Sequence, residues 1–431
     1  MALSRLVPWV LLLLPIVLCD LLRPPRVTAK NVHKSHITHH SLNTEEEERQ
    51  HQAEHGWHPT EDTCAKALNV SKVALMFLTR GYVQHHDTWE LWFKDVQGSL
   101  PLSAMQAEGC TADAISAAGH SCGMSGGPKV LHQQHLFSVL THVGAAEGFK
   151  GFPKESMFHG TVVPTTIKTQ WGTHSLTKAI LLLMETALEE PLNQRFVLLS
   201  ESDIPLYPPA VVWLQLTSEH KSRIHSCGDH FYLSKAGRWV GDLASSKLQA
   251  QHWRMSDTWF MLIRRHAEVI TQDIEIEHEF ASNCAYSGAD PTGWRRCFSD
   301  QHLFASVLSY KGMENETACD SAITNSGSGD SQRPHDFEVT EVTYQRLVGL
   351  RNPDETICKD AEAIRVAAGQ VAHVSIFNAT VCHSHVPGFG GELAPSCPLF
   401  ARKFGPDVAD AVSQLMGVTA LLRSPFLSQM D

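Results

Sequence analysis

No Cys-x-x-Cys pair occurs among the 11 cysteines of this 431-residue chain, which removes the usual ligand spacing of a structural zinc site. Basic charge is scarce as well: 35 Lys and Arg stand against 46 Asp and Glu, a net charge of −11. Nucleic-acid backbones are gripped by clustered Lys and Arg, so nucleic acid is not expected as a partner. Beyond residue 25 no apolar run is long enough to span a bilayer. Charged residues make up 19% and hydrophobic residues 43%, the balance of a globular chain and not of a disordered one. The length suits one large or two medium domains, at about 100–200 residues each.

What is present begins with Arg5 and a nearly uninterrupted apolar run from Leu6 to Cys19, followed by Asp20. A basic residue ahead of a short apolar segment is the pattern of a secretory targeting sequence. It lacks a clear Ala-x-Ala cleavage site, so residues 1–25 read as a signal-anchor or a signal peptide. Either one delivers the remainder to an oxidising compartment, where the ten later cysteines, an even number, can pair. Asn69-Val-Ser, Asn315-Glu-Thr and Asn378-Ala-Thr are glycosylation sequons consistent with that route.

Residues 26–68 hold His33, His36, His39, His40, His51, His55 and His58, the Glu45–Glu48 run and few apolar residues. Such a composition buries too little surface to offset chain entropy and reads as a flexible stem. Histidine tracts also bind metal, but no Cys/His spacing here defines a site. Lys72–Leu78 reads as a buried strand, Trp89–Phe93 as a helix with its aromatic face inward, Leu136–Thr141 as a strand and His174–Leu188 as a helix. Residues 98–134, rich in Gly, Ala and Ser and carrying Cys110 and Cys122, read as a surface insertion. Thr324–Gln332 reads as a polar loop. Strands alternating with helices predict an α/β fold with a mainly parallel sheet over residues 69–420, and a tail over 421–431.

The most informative stretch is Phe196-Val-Leu-Leu-Ser-Glu-Ser-Asp-Ile-Pro-Leu206. Its apolar run fits a strand buried on both faces; it stops at two hydroxyls alternating with two carboxylates, and Pro205 bars its continuation. Ligands of open α/β sheets sit at the carboxyl ends of strands, so Glu201 and Asp203 are placed to hold hydroxyls; a turn or a helix cap would use the same residues.

Together with this stretch, the blocks Lys72-Val-Ala-Leu-Met-Phe-Leu-Thr-Arg-Gly81, Pro153-Lys-Glu-Ser-Met-Phe-His-Gly160, Gln170-Trp-Gly-Thr-His-Ser175, His252-Trp-Arg-Met-Ser-Asp-Thr-Trp-Phe260, Asp300-Gln-His302 and Leu399-Phe-Ala-Arg-Lys-Phe404 resemble one family in this order. The chain looks like the plant-type members of the Core-2/I-branching β-1,6-N-acetylglucosaminyltransferase family, which is related to the peptide O-xylosyltransferases. The resemblance implies a Golgi type II membrane protein with a GT-A-like nucleotide-sugar-binding fold. It implies inverting transfer of GlcNAc, xylose or glucuronate from a UDP-sugar to a hydroxyl of a glycan, proteoglycan, polysaccharide or protein.

It also implies that basic side chains, and not a metal held by Asp-x-Asp, neutralise the departing diphosphate. No Asp-x-Asp occurs, and no cofactor or divalent metal is expected. Lys403 matches the family lysine that contacts UDP, and Arg402 is the adjacent candidate. Thr79, Arg80 and Gly81 are expected to bind the donor. Trp171 and Gly172 would line its pocket or, for the indole, seal the core, and Trp259 would face the acceptor. The family's catalytic glutamate is replaced by Gln301, whose amide is no useful base near neutral pH. Three readings stand: Asp300 or another carboxylate takes the proton, the register shifts by one, or the protein is a weak or inactive sugar- and UDP-binding relative.

Overall fold

The computed structural model describes residues 62–94, 100–101, 130–144, 148–207, 209–228, 239, 241–284, 297–319, 321–325, 398–406, 409–410 and 412–413. The targeting segment, nearly all of the expected stem, most of the 98–134 insertion with Cys110 and Cys122, Asn378 and the tail lie outside the described residues. The helices are α1 (Thr63–Leu68), α2 (His86–Lys94), α3 (Gln133–Leu136), α4 (His174–Leu188), α5 (Pro209–Ser218), α6 (Arg264–Gln272), α7 (Ile274–Asn283) and α8 (Ser299–Tyr310). The strands are β1 (Lys72–Thr79), β2 (Leu100–Pro101), β3 (Val130–Leu131), β4 (Phe137–Val143), β5 (Asn193–Ser200), β6 (Ile204–Pro205), β7 (Met261–Ile263), β8 (Thr324–Asn325) and β9 (Phe400–Ala401). Among the described residues no helix is long and apolar enough to cross a membrane.

The central sheet has the order β4-β1-β5-β7. Its first three strands run parallel, and β7 pairs antiparallel with β5. All eight residues of β1 are buried, because both of its faces are covered. Val73, Leu75 and Phe77 point into one core, against Trp89, Trp92, Phe158 and Trp213. Ala74, Met76 and Leu78 point into the other, against Ile180, Met184, Phe304 and Leu308. Strand alternation thus turns one continuous apolar run into two cores, one on each side of the sheet. The buried indoles keep hydrogen bonds: Trp213 Nε1 donates to the Ser71 carbonyl at 2.7 Å, and Trp92 Nε1 to that of Tyr207 at 2.7 Å.

Helix α4 matches its sequence bounds. Buried Ile180, Leu183, Met184 and Ala187 recur at helical spacing along one stripe. Its carboxyl end meets Arg264, which donates to the carbonyls of Leu188, Glu190 and Asn193 at 2.9–3.0 Å. Other local expectations shift. The ends of the 98–134 segment are brought together by the antiparallel pair β2–β3. Thr324–Asn325, expected in a loop, is a short strand, because Phe400–Ala401 offers it a parallel partner that only the tertiary fold supplies. Cys227–Cys319 and Cys284–Cys297 are disulfides, and Cys64 is also disulfide-bonded.

Candidate active site

The register sets Thr79 beside Val143 and Leu78 beside Ser200, so the carboxyl ends of β4, β1 and β5 finish level. The turn after β5 is closed from within. Asp203 Oδ2 accepts from the Ser200 amide at 2.7 Å and also from the Ser200 hydroxyl. Trp89 Nε1 donates to the Asp203 carbonyl at 2.9 Å. Asp203 is fully buried. Burial raises its carboxyl from the ordinary 3.8 to about 6, against the opposing pull of Arg402. Glu201 turns the other way: its carboxylate accepts from the Arg80 amide at 2.6 Å, from Arg80 Nε at 2.5 Å and from Gln84 Nε2 at 3.5 Å. It therefore anchors the loop that follows β1, while the Arg80 side chain remains 81% exposed.

Arg402 arrives from the other end of the sequence. Strand β9 lies between β6 and β8, with Ala401 opposite Ile204. The next residue thus falls above Asp203, with Arg402 Nε 3.7 Å from Oδ2. The guanidinium stacks 4.1 Å over the Trp259 ring. Burial lowers the Arg402 pKa, while Asp203, Asp257 and Glu201 each raise it; a guanidinium stays charged throughout. As an isolated pattern Arg402-Lys403 would suit a solvated basic pair, but the fold leaves only 13% of the Arg402 side chain exposed, whereas Lys403 is exposed. The segment is fixed by Phe404, whose amide donates to the Ser202 carbonyl at 3.3 Å and whose carbonyl accepts from His85 Nε2 at 2.8 Å.

Residues 254–258 run along α8. The Arg254 amide donates to Ser306 Oγ at 3.0 Å, His302 Nδ1 to the Arg254 carbonyl at 2.7 Å, the Ser256 amide to the Gln301 carbonyl at 2.8 Å and Thr258 Oγ1 to Asp300 Oδ2 at 2.8 Å. Asp300 is buried, its Oδ1 has no hydrogen-bond partner, and burial raises its pKa with a further push from Asp257. Asp257 is exposed. His302 is a core residue stacked 4.0 Å from the Trp253 ring.

Thr79 Oγ1 donates to the carbonyls of Gly81 at 2.9 Å and His142 at 3.2 Å, which shapes the first strand's end. His142 Nε2 accepts from the Ile167 amide at 3.0 Å, and burial lowers its pKa to about 4, so the ring is neutral. The segment after Ile167 passes so close that a Cβ on Gly144 would sit 2.3 Å from Thr169 Oγ1. Trp171 is 69% exposed and stands 5.2 Å from the Phe298 ring, so the core-sealing alternative for this indole does not apply. Gly172 has φ 76°, a backbone region that favours glycine.

The structure therefore gathers Arg80, Glu201, Asp203, Arg402 and Trp259 at the carboxyl ends of β1 and β5, with Asp300 reached through Thr258, and sets Trp171 and Gly172 beside the amino end of α8. Asn69 lies at the opposite end of β1, exposed in a left-handed C-cap of α1, and Asn315 is exposed in a short 3-10 turn. Asp257, not singled out from the sequence, joins the set through the electrostatic influence that it exerts on both Arg402 and Asp300. Its signal was its position two residues before Trp259. Tyr82, 53% exposed and packed 5.0 Å from the Phe149 ring, was missed as well. Among the described residues no three His, Cys, Asp or Glu side chains gather as metal ligands.

Two comparisons bear on this arrangement. The sequence model of the family described as Core-2/I-Branching enzyme matches residues 129–351, just over half of the chain. That range contains Glu201, Asp203, Asp257, Trp259 and Asp300, whereas Arg80 and Arg402 lie outside it. A rice protein (Oryza sativa subsp. japonica) described as Glycosyltransferase BC10 is 27% identical over 293 residues, covering 62% of this chain and 66% of the rice protein, just under two thirds of that relative's length. With the family model matching over half of its length and a mainly parallel central sheet, the chain belongs to the Core-2/I-branching enzyme family.

Proposed function

We propose that the protein is an inverting, metal-independent glycosyltransferase that moves GlcNAc, xylose or glucuronate from a UDP-sugar to a hydroxyl of a glycan or protein. The observation that carries this reading is the half-buried cation Arg402, fixed between Asp203 and the Trp259 ring, with the exposed carboxylate Asp257 within its electrostatic reach. Family membership and the description of the rice relative as a glycosyltransferase support the same reaction class.

In the reaction, Asp257 accepts the proton of the attacking hydroxyl as its oxygen bonds to the anomeric carbon. The bond from that carbon to the diphosphate oxygen breaks on the opposite face, and Arg402 and Lys403 neutralise the departing charge. Thr79, Arg80 and Gly81 shape the donor pocket, and Tyr82 offers a face to the base. Trp171 and Trp259 offer apolar faces to sugar rings. Asp257 is preferred over Asp300 because it is exposed to an incoming hydroxyl, whereas Asp300 is buried. In cells, the N-terminal segment anchors the protein in the Golgi membrane with its catalytic part in the lumen, or releases it for secretion if cleaved.

Gln301 favours a second reading, a sugar- and UDP-binding protein without turnover, because its amide stands where the resembled family has a glutamate. Transfer and hydrolysis of UDP-GlcNAc, UDP-xylose and UDP-glucuronate, measured with the parent, Asp257→Asn and Gln301→Glu, separate the two. Turnover by the parent that falls about 10²–10⁴-fold in Asp257→Asn supports the transferase. Turnover confined to Gln301→Glu supports the binding protein. UDP binding that is abolished by EDTA refutes metal independence.

A further inference from the structure

The 254–258 segment does more than cross α8: four hydrogen bonds, spaced along the segment, hold it to residues 300–306 of that helix. Three of them use a backbone amide or carbonyl on the segment side, which tolerates any side chain there. The fourth depends on side chains alone, Thr258 Oγ1 donating to Asp300 Oδ2 at 2.8 Å in a buried setting. It is the last anchor before Trp259, and it lies immediately after Asp257, whose own Oδ1 accepts from the Thr258 amide at 2.9 Å. Thr258 is therefore gripped twice, by Asp257 through its amide and by Asp300 through its hydroxyl. Rotation of Thr258 would move Asp257 and the ring on which Arg402 rests.

We propose that Asp300 and Thr258 are positioning residues that fix the Asp257 carboxylate and the Trp259 platform, so that the Asp300-Gln301-His302 block supports the reaction from behind these two residues. The inference rests on the reading of Asp257 as the base. Gln301 has a defined part in it without proton transfer, since its carbonyl anchors Ser256. Reacting groups must be held closely, and a displacement of about 1 Å can cost about 10²-fold in rate.

The test is a double-mutant cycle on the purified full chain with its best UDP-sugar. Thr258→Val keeps the shape and removes the hydroxyl; kcat is expected to fall at least about tenfold. Thr258→Ser restores kcat to within about twofold, because the donor to Asp300 returns. In the Asp257→Asn background Thr258→Val is expected to add little further loss. A full further loss there, or an unchanged kcat in Thr258→Val alone, overturns the positioning role while leaving the base reading intact. Full activity in Asp257→Asn overturns the base reading and the proposal with it. Hydrogen exchange supplies a readout independent of turnover: faster exchange confined to residues 255–259 in Thr258→Val is expected, and unchanged exchange there overturns the proposal.

Discussion

Replacing Asp203 by Asn tests the electrostatic account of the Asp203–Arg402 pair most directly. In the folded protein the Asp203 carboxyl titrates at about 6, against an ordinary 3.8, because burial penalises its charged form more than Arg402 and Ser200 favour it. The folded state thus prefers the protonated acid. Its stabilising contribution is fully present below pH 3.8 and is lost as the pH rises through about 6. The gap between these values corresponds to about 3 kcal/mol. Asn is neutral at every pH and keeps an oxygen for the Ser200 amide, so it removes the titration without removing that hydrogen bond. Urea unfolding of parent and Asp203→Asn at several pH values between 4 and 7.5 measures the difference. Other titrating groups cancel in that difference, together with any constant offset from the altered Arg402 pair. The parent is expected to lose about 2 kcal/mol relative to the variant across this range, because at pH 4 the unfolded carboxyl is already partly ionised. Two parallel stability curves, or a parent that gains on the variant as pH rises, would refute the reasoning.

Two further outcomes follow from the same geometry. Trp171→Ala should leave unfolding free energy within about 0.5 kcal/mol of the parent, because the ring is 69% exposed, while raising KM for donor or acceptor several-fold; a large drop in stability would show instead that the indole is packed. Replacing Cys284 and Cys297 together by Ser opens a loop closed by a sequence separation of 13 and should cost about 3 kcal/mol in denaturant unfolding, and an unchanged midpoint would contradict that disulfide.

Local patterns carried much of the fold. The apolar runs at 72–78 and 196–199 are strands because both faces of the sheet are covered, and the helix at His174–Leu188 shows its stripe at helical spacing. The turn at Ser200–Asp203 was legible as a strand end carrying carboxylates. Its chemistry was not, since Glu201 spends its oxygens on Arg80 and Gln84, while Asp203 is sealed beneath Arg402.

The amino-acid order by itself determined where strands and helices form and which sheet edge carries polar groups, because burial periodicity is a property of neighbouring residues. Only the tertiary structure decided which charges meet. The pairing of β9 with β6 sets Arg402 over Asp203, and the ladder of hydrogen bonds on α8 brings Asp257 within electrostatic reach of Arg402. These contacts join residues far apart along the chain, and no local spacing encodes which strand edge a distant segment will complete.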